Sequence, residues 1–322
     1  MEDGSSKGGG FARTRDSDLH QAIREDNFVL PKGLDTHSTV RIVLSAVQPF
    51  MYIAAAIVAV SGSLPLPVGV LLAFLLIVAA QRSFLTLVHD ASHKLYSKDR
   101  EWNDLLADYL AAGFIGLFLR KYRKIHLAHH SANGSADDPE YFGIEVVERA
   151  GGWSRFVLRY ALGLEIPYLL GKYHVNQDGY LGDRRVHSKA VDNPRRFEKL
   201  SVVVAQAGLL VTFWSFGVWP LYLMWLYAAV SWSPMFSRLR FLAEHPGRGK
   251  LTLSTEGTWW ERIYFAPHHF NFHLEHHLWP SVPPYRLPRT HAELLRSGFF
   301  ERHSEYLAAS YVETLAKYEI RS

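Results

Sequence analysis

Three short stretches of this chain concentrate histidine: His89-Asp90-Ala91-Ser92-His93, His126-Leu127-Ala128-His129-His130 and His273-Leu274-Glu275-His276-His277. They hold eight of its 17 histidines. Imidazole is the commonest protein ligand for zinc, copper, iron and nickel. Eight imidazoles exceed what one ion takes, so the pattern predicts a centre with more than one metal. Residues three and four apart on a helix are neighbours on its surface. Each stretch, if helical, therefore aims two or three imidazoles to one side. With no cysteine anywhere, thiolate zinc, iron–sulfur clusters and disulfides are excluded, and only nitrogen and oxygen ligands remain. The Glu-x-x-His pattern of soluble di-iron bundles is not what these clusters show. A nitrogen-rich site suits iron, zinc or copper. Zinc would confine the protein to hydrolytic or structural work, as in a zinc-binding membrane receptor or structural protein. An iron pair can activate dioxygen.

The elements that must position these clusters are apolar and long. Apolar blocks run over about 42–60, 67–88, 201–219 and 221–236. About twenty helical residues cross the ~30 Å hydrocarbon core of a bilayer. The blocks pair into two hairpins, turning at Ser61-Gly62-Ser63-Leu64-Pro65 and Phe216-Gly217-Val218-Trp219-Pro220. Neither turn carries a charge, whereas Arg120, Lys121, Arg123, Lys124, Arg184, Arg185, Arg195, Arg196 and Lys199 lie between the hairpins. Excess Lys and Arg marks the cytoplasmic side. Both termini, the central segment and all three clusters are thus expected there. Leu105–Leu119 and Phe156–Leu170 are short or carry charge, and read as buried or interfacial helices. The expected fold is an all-α integral membrane protein: four transmembrane helices in two hairpins, under a cytoplasmic helical cap that carries the metal site.

A mean hydropathy of −0.05 hides this organisation because long uncharged runs alternate with polar, histidine-rich ones. The net charge of +4 flanks apolar runs instead of forming a stripe, which fits a membrane surface and not nucleic acid. Residues 1–25 begin Gly/Ser-rich and read as a disordered tail, leaving 26–322 as one domain.

The three clusters, in order, match the H-x-x-x-H, H-x-x-H-H and H-x-x-H-H boxes of the membrane fatty acid desaturase superfamily, which the chain resembles over roughly residues 40–295. The stretches Asp137-Asp138-Pro139 and Leu278-Trp279-Pro280-Ser281-Val282-Pro283-Pro284 look like those that follow the second and third boxes in that family. The resemblance implies a non-haem centre of two irons, with O2 as co-substrate and a fatty-acyl or lipid-like substrate that acquires a double bond. Hydroxylases and ketolases, including those acting on carotenoids or specialised metabolites, are the alternative within the superfamily. A lone histidine such as His245 ordinarily reads as a surface or core residue. It matches, however, an extra ligand that relatives place between the last span and the third box. The implied metal ligands are therefore His89, His93, His126, His129, His130, His245, His273, His276 and His277.

Two departures bear on the site. His245-Pro246-Gly247-Arg248 only partly echoes the His-Pro-Gly-Gly motif of a fused cytochrome b5, so electrons are expected from a separate ferredoxin or cytochrome b5 with its reductase. Acyl-CoA desaturases hold one metal with help from an Asn four residues before the extra histidine. Here that position is Phe241, so help is expected from Asn271 or an ordered water. Carboxylates that accept the second ring N–H orient metal-bound imidazoles. Asp90, Asp137, Asp138, Glu244 and Glu275 are candidates, with Asp138 and Glu275 the readiest to be merely solvated. The cations at 120–124 read as membrane anchors or as a contact for an acidic donor or headgroup. His268 and His269 rank below the boxes as ligands. His20, His37, His174, His187, His291 and His303 read as surface or packing residues.

Overall fold

The computed structural model describes residues 16–36, 38–135, 138–166, 193–246 and 251–317. It opens with α1 (Asp16–Glu25), then α2 (Thr39–Ser45), α3 (Val47–Ser61) and α4 (Leu66–Ser92). Residues 16–25, expected to belong to a disordered tail, are thus helical. Leu19, Ala22 and Ile23, spaced i, i+3, i+4, are buried against Leu274, Leu278, Phe299 and Phe300. A three-residue apolar stripe in a polar segment leaves composition looking disordered, and tertiary packing supplies the helix.

Helices α2 and α3 form one apolar stretch, Thr39–Ser61, that turns at Gly62 and packs along α4. Small residues line the seam: Ala56, Ala59 and Ala73 are buried. At Gly69 a Cβ would lie 2.4 Å from the Ala59 carbonyl oxygen, so only glycine permits the approach. Outward residues are as apolar as inward ones; Val58 is 67% and Leu66 68% exposed. Such surface suits lipid and not water.

The chain continues through α5 (Arg100–Leu110), α6 (Leu119–Ala132), α7 (Phe142–Arg149) and α8 (Trp153–Ala161). Next come α9 (Arg196–Ser215), α10 (Pro220–Val230) and α11 (Trp232–Glu244). Thr39–Ser61, Leu66–Ser92 and Arg196–Ser215 are long and apolar enough to cross a membrane, which makes this a helical membrane protein. The fourth expected span, 221–236, breaks at Ser231 (φ −122°, ψ −77°). Pro234 has no N–H to give to Val230, and the Ser231 hydroxyl donates to the Tyr160 carbonyl, so α10 and α11 kink apart.

The remaining elements are β1 (Ser254–Thr255), α12 (Trp259–Tyr264), α13 (His273–Leu278), α14 (Leu287–Arg296), α15 (Phe299–Arg302), β2 (Leu307–Ala308) and α16 (Tyr311–Ala316). β1 and β2 pair in parallel, Ser254 with Leu307 and Thr255 with Ala308. This small exception to an all-α fold ties the segment before α13 to the chain end.

Two buried arginines lock α4 to the polar elements. Arg82 donates through Nε to the Tyr264 carbonyl (2.8 Å), through Nη2 to that of Phe265 (3.0 Å), and to the Ser237 hydroxyl. Arg123 donates to the Ser92 and Ala91 carbonyls (both 3.0 Å) at the C-terminal end of α4 and pairs with Asp104. Those carbonyls lie in the last turn of α4, where i→i+4 bonding runs out, and a cation there also complements the helix dipole. Arg123, expected at the surface with its neighbours, is thus a buried clamp.

Candidate metal centre

Four elements converge on one place. α4 brings His89, with His93 as its C-cap; α6 brings His126, His129 and His130; His245 caps α11; α13 brings His273, His276 and His277. All nine histidines singled out in the sequence fall into two groups. His89, His93, His126, His130 and His276 form one, and His129, His245, His273 and His277 the other; within each, the nearest ligand atoms lie within 4.8 Å of one another.

The H-x-x-H-H boxes do not each aim three imidazoles at one point. They split. At about 100° per residue, His126 and His130 lie about 40° apart on α6, with His129 about 60° to the other flank of His126. His126 and His130 therefore serve the first group and His129 the second. α13 reverses the allocation: His276 joins the first group, His273 and His277 the second. The groups touch where the His130 and His277 rings stack at 4.2 Å.

The Nε2 atoms face inward. His93 and His126 approach to 2.8 Å, His126 and His130 to 3.0 Å, and His130 and His276 to 3.1 Å. In the second group His273 lies 3.0 Å from both His245 and His277. Four of the Nδ1 atoms turn outward to oxygen. His129 Nδ1 is 2.9 Å from Asp138, His89 Nδ1 3.3 Å from Asp90, His126 Nδ1 3.4 Å from Glu140 and His245 Nδ1 3.3 Å from Thr252 Oγ1. A carboxylate can only accept, so it places the ring proton on Nδ1 and leaves the Nε2 lone pair pointing inward. His89 Nε2 is buried with no hydrogen-bond partner among the described residues. Inward lone pairs about 3 Å apart repel, and a cation between them removes the repulsion. The donor set fits metal.

Burial, then the neighbouring imidazoles, holds His126, His273 and His276 well below the usual histidine pKa; His130 is lowered by the same causes. His93 is pushed down to about 3, chiefly by burial and then by His277 and Arg123. Neutral imidazole is the form that ligates.

The carboxylates correct the sequence reading in part. Asp138 and Glu275, the candidates ranked readiest to be merely solvated, are buried. Asp138 accepts from the Glu140 backbone N–H (2.8 Å) besides meeting His129. Glu275 holds His291 Nδ1 at 2.6 Å, and the Ser254 hydroxyl donates to it (3.1 Å). His291, read as a surface or packing residue, is therefore a buried packing partner of the third box. Glu244 meets His273 at Nε2 (3.5 Å), the inward atom, instead of behind the ring. It also pairs with Arg240 (3.1 Å) and accepts from the Tyr311 hydroxyl (3.0 Å). Burial pushes its carboxyl up to about 7, against the pull of Arg240. Asn271 donates to the Thr255 carbonyl (2.7 Å), anchoring β1. Asp137, His37, His174 and His187 lie outside the described residues. His268 and His269 join neither group.

Glu140 and Thr252 were missed. Glu140 carried a signal: it sits two residues beyond Asp138, and the turn at Pro139 brings both back beside α6. Thr252 carried none, since its contact depends on the return of the chain after α11.

A model of the fatty acid desaturase family matches residues 62–309. The chain is 29% identical over 237 residues to a dihydrorhizobitoxine desaturase of Bradyrhizobium elkanii, covering 66% of this chain and 64% of that protein. It is 24% identical over 237 residues to an sn-1 oleoyl-lipid 12-desaturase of a Picosynechococcus strain, covering 66% and 65%. The matched part spans a little under two thirds of either relative's length. The family match takes in all nine histidines, both of their groups and most of the helices that carry them: the chain belongs to the fatty acid desaturase family.

Proposed function

We propose that this protein is a membrane di-iron desaturase that uses O2 to introduce a double bond into a lipid-like substrate. The observation that carries the reading is the pair of adjoining, all-nitrogen histidine groups at the end of a membrane-length helix. The first group would hold one iron. The second, with Glu244 bringing an oxygen to the inward side of His273, would hold the other. Bound there, the pair would supply the reduction of O2 that drives removal of two hydrogens from adjacent carbons.

The chain's own residues set the conditions. Asp138, Asp90 and Glu140 hold three imidazoles with lone pairs inward. Phe270, 4.1 Å from the His89 ring and 5.0 Å from that of His273, shields the groups from water. Arg240 lies over Phe270 (4.4 Å) and neutralises Glu244. Two electrons come one at a time from a separate donor, a ferredoxin or cytochrome b5 with its reductase, two protons come from the medium, and with the two substrate hydrogens O2 leaves as two waters. The chain crosses the bilayer four times, the kinked α10–α11 pair completing the fourth crossing. The histidines and both termini face the cytoplasm.

The relatives' names divide between a lipid and dihydrorhizobitoxine, so the substrate must be found by experiment. Expression with a reductase system and a substrate panel, followed by mass spectrometry, tests the reading. A product lighter by two hydrogens is expected. A product gaining one oxygen would replace desaturation with hydroxylation.

A further inference from the structure

A cavity of about 290 Å³ lies beside the first histidine group, between the first membrane helix and the loop before the third box. Ile42, Ser45 and Gln48 wall it on the membrane side, and Arg262, His268 and His269 on the other. Asp90 reaches it, so it adjoins the residue that orients His89. The volume sits at the small end of ligand pockets, whose walls are mostly apolar with a few polar groups. Here half the lining residues are polar, unlike a channel for hydrocarbon alone.

Three features of the loop point to a ligand. His268 and His269 both adopt left-handed backbone (φ 58° and 66°), a strain that persists where function and packing demand it. His268 Nε2 is buried with no hydrogen-bond partner among the described residues. Arg262 spends Nε on the Glu256 and Gly257 carbonyls (3.0 and 3.1 Å), which braces the side chain while its two terminal nitrogens remain to donate. The loop is immobilised from behind by Arg82, which holds the Tyr264 and Phe265 carbonyls. Burial and then the charge of Arg262 lower the pKa of His269. The imidazoles therefore act as neutral donors, with the guanidinium as the cation.

Resting on the desaturase reading, we propose that this cavity binds a free carboxylate of the substrate, gripped by Arg262 and His268 and placed within a few bonds of the carbon attacked. Guanidinium matches carboxylate in a planar fork. Asp90, the only carboxylate lining it among the described residues, is taken up by His89. The carboxylate can belong to a short organic acid or to a free fatty acid; an ester-linked acyl chain lacks it.

Equilibrium dialysis tests this with the full chain in nanodiscs, empty nanodiscs serving as blank. The probes are radiolabelled hexanoate, palmitate and their methyl esters. At least one acid is expected to bind about tenfold more tightly than its ester. Hexanoate alone identifies a short-acid site, and palmitate alone a fatty-acid site. Arg262→Gln should abolish the preference, Arg262→Lys should keep most of it, and His268→Asn, which tolerates the left-handed backbone, should retain part. Esters binding as well as acids, no binding by either acid, or an unchanged preference in Arg262→Gln would each overturn the site. Turnover and metal content of the same preparations separate the two claims. Esters oxidised as readily as acids overturn the site and leave the desaturase reading intact. Acid binding without metal or oxidised product does the reverse.

Discussion

The two histidine groups differ in how they are enclosed. In the second, His129, His245, His273 and His277 are all buried, and Asp138, Thr252 and Glu244 crowd behind or beside them. In the first, His93 and His130 are only half-buried, and a cavity reaches Asp90. One half is sealed; the other adjoins a cavity. On the proposed reading, the first group is the reacting side and the second a fixed electrostatic partner.

The comparison can be broken by removing a member of each group. His129→Ala should cost the most: turnover falls to background and metal content drops to about one ion per chain, read by mass spectrometry of the metals and by activity. Loss of all metal would show that the groups load as one unit. Retention of full loading and activity would reject a ligand role for His129.

A smaller effect comes from the carboxylates. Asp138→Asn leaves the ring of His129 without its anion and should reduce metal affinity or turnover by about 10–100-fold. Glu140→Gln, at a longer contact to His126, should cost less in the same assays. The reverse ranking would undo the contrast between a tightly held and a loosely held group. Glu244→Gln should weaken metal at the second group only, seen as a change at one of two iron signals in Mössbauer spectra.

The metal-free protein should respond to acid. An unfolded histidine protonates near 6.5, whereas His93 in the fold does so only near 3, and His126, His273 and His276 are also held well below 6.5. Between those values the unfolded chain binds more protons, so folding stability falls as pH drops below about 6.5. Several such groups make the fall steep. Thermal melts of the apo-protein from pH 8 to 5 should show it, and iron loading should raise the whole profile with little change in slope, because the ligating rings are already neutral in the apo fold. A flat apo profile would mean that the rings are not held neutral.

The smallest effect lies farthest from the metal. Leu19→Asp should destabilise the fold by about 2 kcal/mol by stripping α1 from α13, with little change in metal content. A large loss of metal would instead tie α1 to the third box's ligand geometry.

Much of this was legible in the sequence, for physical reasons. Apolar runs of membrane length can be read from composition alone, and i, i+4 histidines point one way on any helix. All nine histidines accordingly meet in the structure. The split of each H-x-x-H-H box was only half legible: helical spacing sets His129 to the other flank of His126 from His130, but whether the flanks serve one centre or two depends on the neighbours that α11 and α13 supply. Asp138 and Glu275 looked like solvated acids because their partners, His129 in a folded-back turn and His291 on α14, depend on tertiary approach. The break at Ser231 was visible only as Pro234, which a hydropathy run conceals.

The central claim is that the two groups hold an iron pair that reduces O2. Metal analysis of protein purified from iron-rich medium, combined with O2 uptake on the same sample, tests it most directly. Two irons per chain, one for each group, with O2 consumed when electrons are supplied, is the predicted result. Stoichiometric zinc with no O2 uptake would contradict it.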